Sequence, residues 1–219
     1  MKRSRHCIVG LAAVVALATG RDARGQGAST AGLDSATIAA ITPIIEQARA
    51  AGLPVDLLYA KARQGQVQRL PVVKIEAAVR VVAERIQIAS EALAPSPTVQ
   101  ELSAAADVLQ RGVPRETLRE MRRAAKDGSL AVPLGMLTSL VARGVSVEKA
   151  SVLVVDLLQR GAAPKHFIAL EDRVRADVLA GKRPDESLDL RLKGIVPNLP
   201  QSAATTAADL QSATPRRPR

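Results

Sequence analysis

The sequence predicts an all-α protein: a compact bundle or irregular array of about eight helices, set out as hairpins punctuated by Gly and Pro. Three observations carry this expectation. Ala, Val and Leu dominate the 47% hydrophobic fraction, and Ala and Leu lose little side-chain freedom in a helix. Tyr59 and Phe167 are the only aromatics and there is no Trp, so the bulky strand formers are nearly missing. Apolar residues recur every three or four positions, and no window alternates with period two.

The N-terminal segment reads as an export signal spanning residues 1–18. Lys2, Arg3 and Arg5 precede an apolar run from Ile8 to Thr19. Ala16-Leu17-Ala18, or the overlapping Ala18-Thr19-Gly20, offers the small-x-small pattern of a cleavage site. The run is shorter than the roughly 20 residues needed to span a bilayer. Cys7, the one cysteine, lies at the start of the run, whereas a lipidated cysteine would stand at its end. With the leader removed no thiol is left for disulfide, nucleophile or metal, and helix packing must hold the fold.

Residues 19–33 are rich in Gly, Ala, Ser and Thr and read as a linker, followed by a helical domain over residues 34–193. Its punctuation repeats: Gly52-Leu53-Pro54, Gly112-Val113-Pro114, Gly161-Ala162-Ala163-Pro164 and Gly181-Lys182-Arg183-Pro184, with Gly144-Val145-Ser146 as a variant. Gly can take the left-handed conformation that ends a helix, and Pro at a first helical position gives up only an N–H that is unpaired there anyway. Between breaks, Val72, Ile75, Val79, Val82, Ile86, Ala89 and Leu93 form an unbroken seam along a helix of about 22 residues. Thr98-x-x-Glu101 reads as a capping box ahead of Leu102, Ala106 and Leu109. Leu118, Met121 and Ala125 line the next helix, then Leu137, Leu140 and Val141. Val147, Val154, Leu157 and Leu158 line another, and Phe167, Leu170, Val174 and Val178 the one after. The block Gly52-Leu53-Pro54-x-x-x-Leu58 is echoed by Gly112-Val113-Pro114-x-x-x-Leu118, as duplicated hairpins would give. Unequal spacing between breaks argues against a strict solenoid. From Gly194 to Arg219 the pattern stops, and Pro, Ala, Ser and Thr indicate a disordered tail ending in Arg216, Arg217 and Arg219.

The breaks Ala51-Gly52-Leu53-Pro54, Arg111-Gly112-Val113-Pro114 and Ala142-Arg143-Gly144-Val145-Ser146, placed after an export leader, resemble a type of small secreted bacterial helical protein with recurring Gly-hydrophobic-Pro breaks. The likeness covers roughly residues 40–193. It implies an all-α secreted domain and carries over neither an activity nor functional residues.

The formal charge of +10 is concentrated at the ends. Residues 30–193 hold 23 basic and 19 acidic residues, so the folded part is only mildly basic and lacks the broad cationic footprint of a nucleic-acid binder. The catalytic candidates each have a plainer structural role. Ser146-Val147-Glu148-Lys149 matches a Ser-x-x-Lys element, but the Ser-Asp-Asn and Lys-Thr-Gly elements that accompany it are absent, and Ser146 stands where an N-cap is expected. His166 has Ala169 and Leu170 at i+3 and i+4 and so no companion ligand on its helix. Asp185, Glu186 and Asp189 suit the positive end of a helix dipole. Glu171 with Arg175, and Arg173 with Asp177, suit i,i+4 pairs on a solvated face. Gly20, Gly25 and Gly27 lack phosphate-loop spacing.

The one surface that stands out follows Pro114. Arg115, Arg119, Arg122 and Lys126 recur at i, i+4, i+7 and i+11 with Arg123 beside them, a basic stripe that Glu116 and Glu120 partly neutralise. No aromatics interleave to stack bases. The expected function is therefore a non-enzymatic exported scaffold or protein-interaction module of the bacterial envelope, with a protein partner and no cofactor. The alternative is an accessory protein that docks anionic lipid or polymer through the stripe, and the third is an enzyme with an unrecognised site.

Overall fold

The computed structural model describes residues 30–125 and 128–195. The expected leader, most of the linker, Lys126 and the tail beyond Ile195 lie outside the described residues. Nine α-helices and no strand occur among those described: α1 Ser35–Ala50, α2 Val55–Val67, α3 Val72–Ala92, α4 Val99–Gln110, α5 Arg115–Ala125, α6 Ala131–Ala142, α7 Val147–Gln159, α8 Pro164–Leu179 and α9 Pro184–Ile195. The all-α expectation holds, with one helix more than counted from the periodicity. Helix α9 continues two residues past Lys193, and Leu33 of the expected linker already packs on the core.

Gly and Pro act at the breaks as the physics requires. Gly52, Gly112, Gly144, Gly161 and Gly181 all have φ between 70° and 93°. Each donates its N–H to the carbonyl three residues back, and the following residue donates to the carbonyl five back, as in Gly112 to Leu109 and Val113 to Val108. This paired closure satisfies two of the carbonyls that every helix end leaves open. Pro164 and Pro184 open their helices directly, whereas Pro54 and Pro71 stand one residue earlier, as N-caps in extended backbone. Pro133 is the third residue of α6 rather than its first. Ser146 occupies its expected N-cap position but makes no side-chain capping bond. The Thr98–Glu101 capping box forms in full.

One break is closed in the same way without a glycine. Arg69, at φ 54°, is the one non-Gly residue with positive φ among those described, and it donates to Gln66 while Leu70 donates to Gly65. Crowding by a Cβ in this conformation costs roughly 1–2 kcal/mol, partly offset by the lower unfolded-state entropy of a non-glycine. Arg69→Gly is therefore expected to stabilise the protein by about 0.5–1 kcal/mol, seen as a raised urea midpoint with an unchanged slope.

Helices pack on chain neighbours at α1–α2, α2–α3, α3–α4, α6–α7 and α8–α9, and alternate helices also touch: α1 with α3, α3 with α5, and α5 with α7 along one row, α4 with α6 and α6 with α8 along another. Helix α2 packs against α1 and α3, and α9 against α8. The result is two rows of short helices over one continuous core that includes Ile41, Leu58, Ile75, Val79, Ile86, Leu118, Met121, Leu137, Val154 and Phe167. Each such side chain contributes about 1.5–3 kcal/mol by leaving water. Helices α2 and α3 approach closely because Gly65 faces Ile75, where an added Cβ would lie 2.9 Å from Cγ1.

Candidate interaction surface

Two buried carboxylates fix how the rows meet. Glu101 is 3% exposed. Its Oε2 accepts from the Thr98 N–H at 2.9 Å and from the Thr98 hydroxyl at 3.1 Å. Its Oε1 accepts from Arg122 Nη2 of α5 at 2.9 Å and from the Leu130 N–H, at the start of α6, at 2.6 Å. Burial pushes this carboxyl up, but the Leu130 and Thr98 N–H groups and the Arg122 guanidinium outweigh it and hold the carboxyl below its ordinary value. One side chain thus ties together α4, α5 and α6.

Asp177 does the same at the other end. It is 5% exposed and takes a two-pronged contact from Arg191, Nε to Oδ2 at 2.7 Å and Nη2 to Oδ1 at 2.8 Å. Lys182 Nζ at 2.9 Å and the Ser187 hydroxyl at 2.9 Å complete the set. Arg191 first, then Lys182, hold the Asp177 carboxyl well below the usual carboxylate range. The expected pairing of Arg173 with Asp177 is thereby corrected: Asp177 faces α9 and not solvent. Arg175 pairs with Asp172 at 2.8 Å in place of the expected Glu171. The acidic group of α9 is likewise drawn into packing, since Asp185 accepts from the Ser146 N–H at 3.2 Å and Asp189 pairs with Lys149 at 2.8 Å. His166 is half-buried, and its Nδ1 accepts from the Ala163 N–H at 3.1 Å, completing the start of α8.

The basic stripe of α5 is divided by these contacts. Arg122 turns inward, its side chain 19% exposed, and is held by Glu101 and the Gly128 carbonyl. Arg115 and Arg119 share Glu116, at 3.0 and 3.8 Å. Arg123 is exposed and contacts the Arg119 carbonyl, and Lys126 lies outside the described residues. Spacing along one helix gives an angle around its axis, but not the charge carried by the helix beside it.

A different surface emerges between α5 and α7. A groove of about 510 Å³ is lined by Thr117 and Glu120 on one side and Glu148, Ser151, Val152 and Val155 on the other. Helix α7 is apolar around most of its girth, so after Val154, Leu157 and Leu158 enter the core, Val152 is left 71% exposed. Ser151 is 8% exposed, and its hydroxyl has no hydrogen-bond partner among the described residues. Glu120 and Glu148 form no ion pair there either. A larger groove of about 750 Å³ between α1 and α3 is lined by Ile44, Ala48, Ala83, Glu84 and Ile88 together with Arg80, which pairs with Glu76.

Set beside protein-family models, curated proteins and solved structures, the chain matches none of them. Its surfaces must therefore be read from their own chemistry. No group of three His, Cys, Asp or Glu side chains that could hold a metal occurs among the described residues, and no described helix is long and apolar enough to cross a membrane.

Proposed function

We propose that this chain is an exported, non-enzymatic interaction module that receives a cationic, partly apolar segment of a protein partner along the α5–α7 groove. The observation that carries the reading is the groove itself, where exposed Val152 stands beside the carboxylates of Glu120 and Glu148, which form no ion pair among the described residues. Val152 and Val155 offer apolar contact, and the two carboxylates favour lysine or arginine nearby. Export rests on the Lys2-Arg3-x-Arg5 start, the short apolar run and the small residues that close it. The anion-docking alternative loses ground on α5, because Arg122 is committed to Glu101 and Glu116 serves two more arginines.

A photo-crosslinking residue at position 152 of the full chain, expressed in its own host, tests this. The expected result is one dominant adduct, cross-linked through a basic segment of the partner and lost in Glu120→Lys/Glu148→Lys. Absence of an adduct, or one indifferent to that charge reversal, would overturn the assignment. N-terminal sequencing of the recovered protein should begin after Ala18 or Gly20.

A further inference from the structure

The corner where α2 turns into α3 carries three aliphatic side chains in solvent: Val67 83% exposed, Leu70 37% and Val73 76%. The exposure of Leu70 has a local cause. At the equivalent position after two other helix breaks, Val113 and Val145 fold back onto their own helix and are 3% and 2% exposed. Leu70 would fold back onto residue 65, which is Gly65 and offers no side chain to meet. Arg69 occupies the left-handed position that glycine fills at the five other breaks, so a cation is kept at the tip where glycine would be less strained.

The charge around this corner is mostly positive. From Leu57 to Ile75 the chain holds Lys61, Arg63, Arg69 and Lys74 and no acidic residue. Arg69 and Lys74 are exposed and make no ion pair among the described residues. Of the carboxylates beside it, Asp34, whose N–H donates to Gln66, has its Oδ1 engaged by the Thr37 N–H, and Glu76, one turn beyond Val73, is paired with Arg80. The contact between Asp34 and Gln66 also shows that the chain enters the folded domain at this corner.

We infer that the α2–α3 corner is a docking tip for an anionic lipid surface, with Val67, Leu70 and Val73 entering the headgroup boundary and Arg69 and Lys74 meeting lipid phosphates. Aliphatic side chains at a tip flanked by cations match the two layers of a bilayer interface, apolar beneath and negative above. A protein partner would have to reproduce both layers in one surface. The inference is independent of the α5–α7 groove.

The chain contains no tryptophan, so a single introduced indole reports only its own position. Val67→Trp in the full chain should shift its emission to shorter wavelength when vesicles of equal parts phosphatidylglycerol and phosphatidylcholine are added, and should be quenched by brominated acyl chains. Val99→Trp, at the start of α4 and beyond the far end of α3, whose length alone is about 30 Å, should stay unchanged. Adding Arg69→Glu/Lys74→Glu to Val67→Trp should weaken the response by more than about tenfold, and vesicles of phosphatidylcholine alone should give little. Three results would each overturn the inference. These are an unshifted Val67→Trp on vesicles that nevertheless bind the chain through another part, an equal shift at Val99→Trp, or a shift that rises with protein concentration without lipid, which would assign the corner to a second copy.

Discussion

Glu101→Ala is expected to lower the free energy of unfolding by about 3–5 kcal/mol, because it breaks a buried ion pair by removing one partner. Four groups lose an acceptor together: the Arg122 guanidinium, the Leu130 N–H, and the N–H and hydroxyl of Thr98. Arg122 Nε already lacks a partner among the described residues, so the guanidinium has few bonds to fall back on. Arg122→Met alone leaves the carboxylate with its two backbone donors and should cost less. The double variant should recover part of the loss, with a coupling of about 0.5–3 kcal/mol. Denaturant titration of the four proteins measures it. A loss below about 1 kcal/mol for Glu101→Ala would mean that the α4–α5–α6 junction rests on apolar packing alone.

The second large effect is a loss of stability in acid, with α9 the first element to go. Glu101 and Asp177 both have folded-state pKa values held below their unfolded ones. The folded state therefore binds fewer protons, and stability rises with pH. Their contributions are fully present above the unfolded values of roughly 4 and disappear as the pH falls through the lower, folded ones. Stability should be flat from neutral pH to about 5 and then fall steeply. Asp177 holds α9 through Arg191 and Ser187 and closes the end of α8 through Lys182. Amide hydrogen exchange should accordingly show α9 losing protection before α4 or α6 as acid is added. Asp177→Asn should produce the same α9-selective loss at neutral pH. Uniform loss across all helices would refute this order of events.

The helices themselves were legible, since each depends on its own residues. The α3 seam reads directly, and Ile75, Val79, Ile86, Ala89 and Leu93 are buried as its spacing requires. The five Gly breaks form as expected because the closure involves only neighbouring backbone. The sixth escaped notice because Arg69 carries no glycine signature. Glu101 was read as a capping residue and nothing more, since its other partners lie 21 and 29 residues further on and helical spacing does not reach between helices. A signal was present nonetheless. Glu101 shares a stripe with Ala105 and Val108, and Asp177 with Leu170 and Val174, all of them buried. An acidic residue in register with a core seam marks a buried charge that needs a partner. The same test places Ser151 on the inward stripe of α7 with Val154 and Leu158.

Because helices meet chiefly their chain neighbours and next-but-one neighbours, the architecture behaves like a short row of bricks laid along the sequence. Local contacts favour rapid folding that can begin at any hairpin. A hairpin gained or lost at the open end would alter the length of the row and leave the remaining joints as they are, giving this sequence a simple route to longer and shorter descendants.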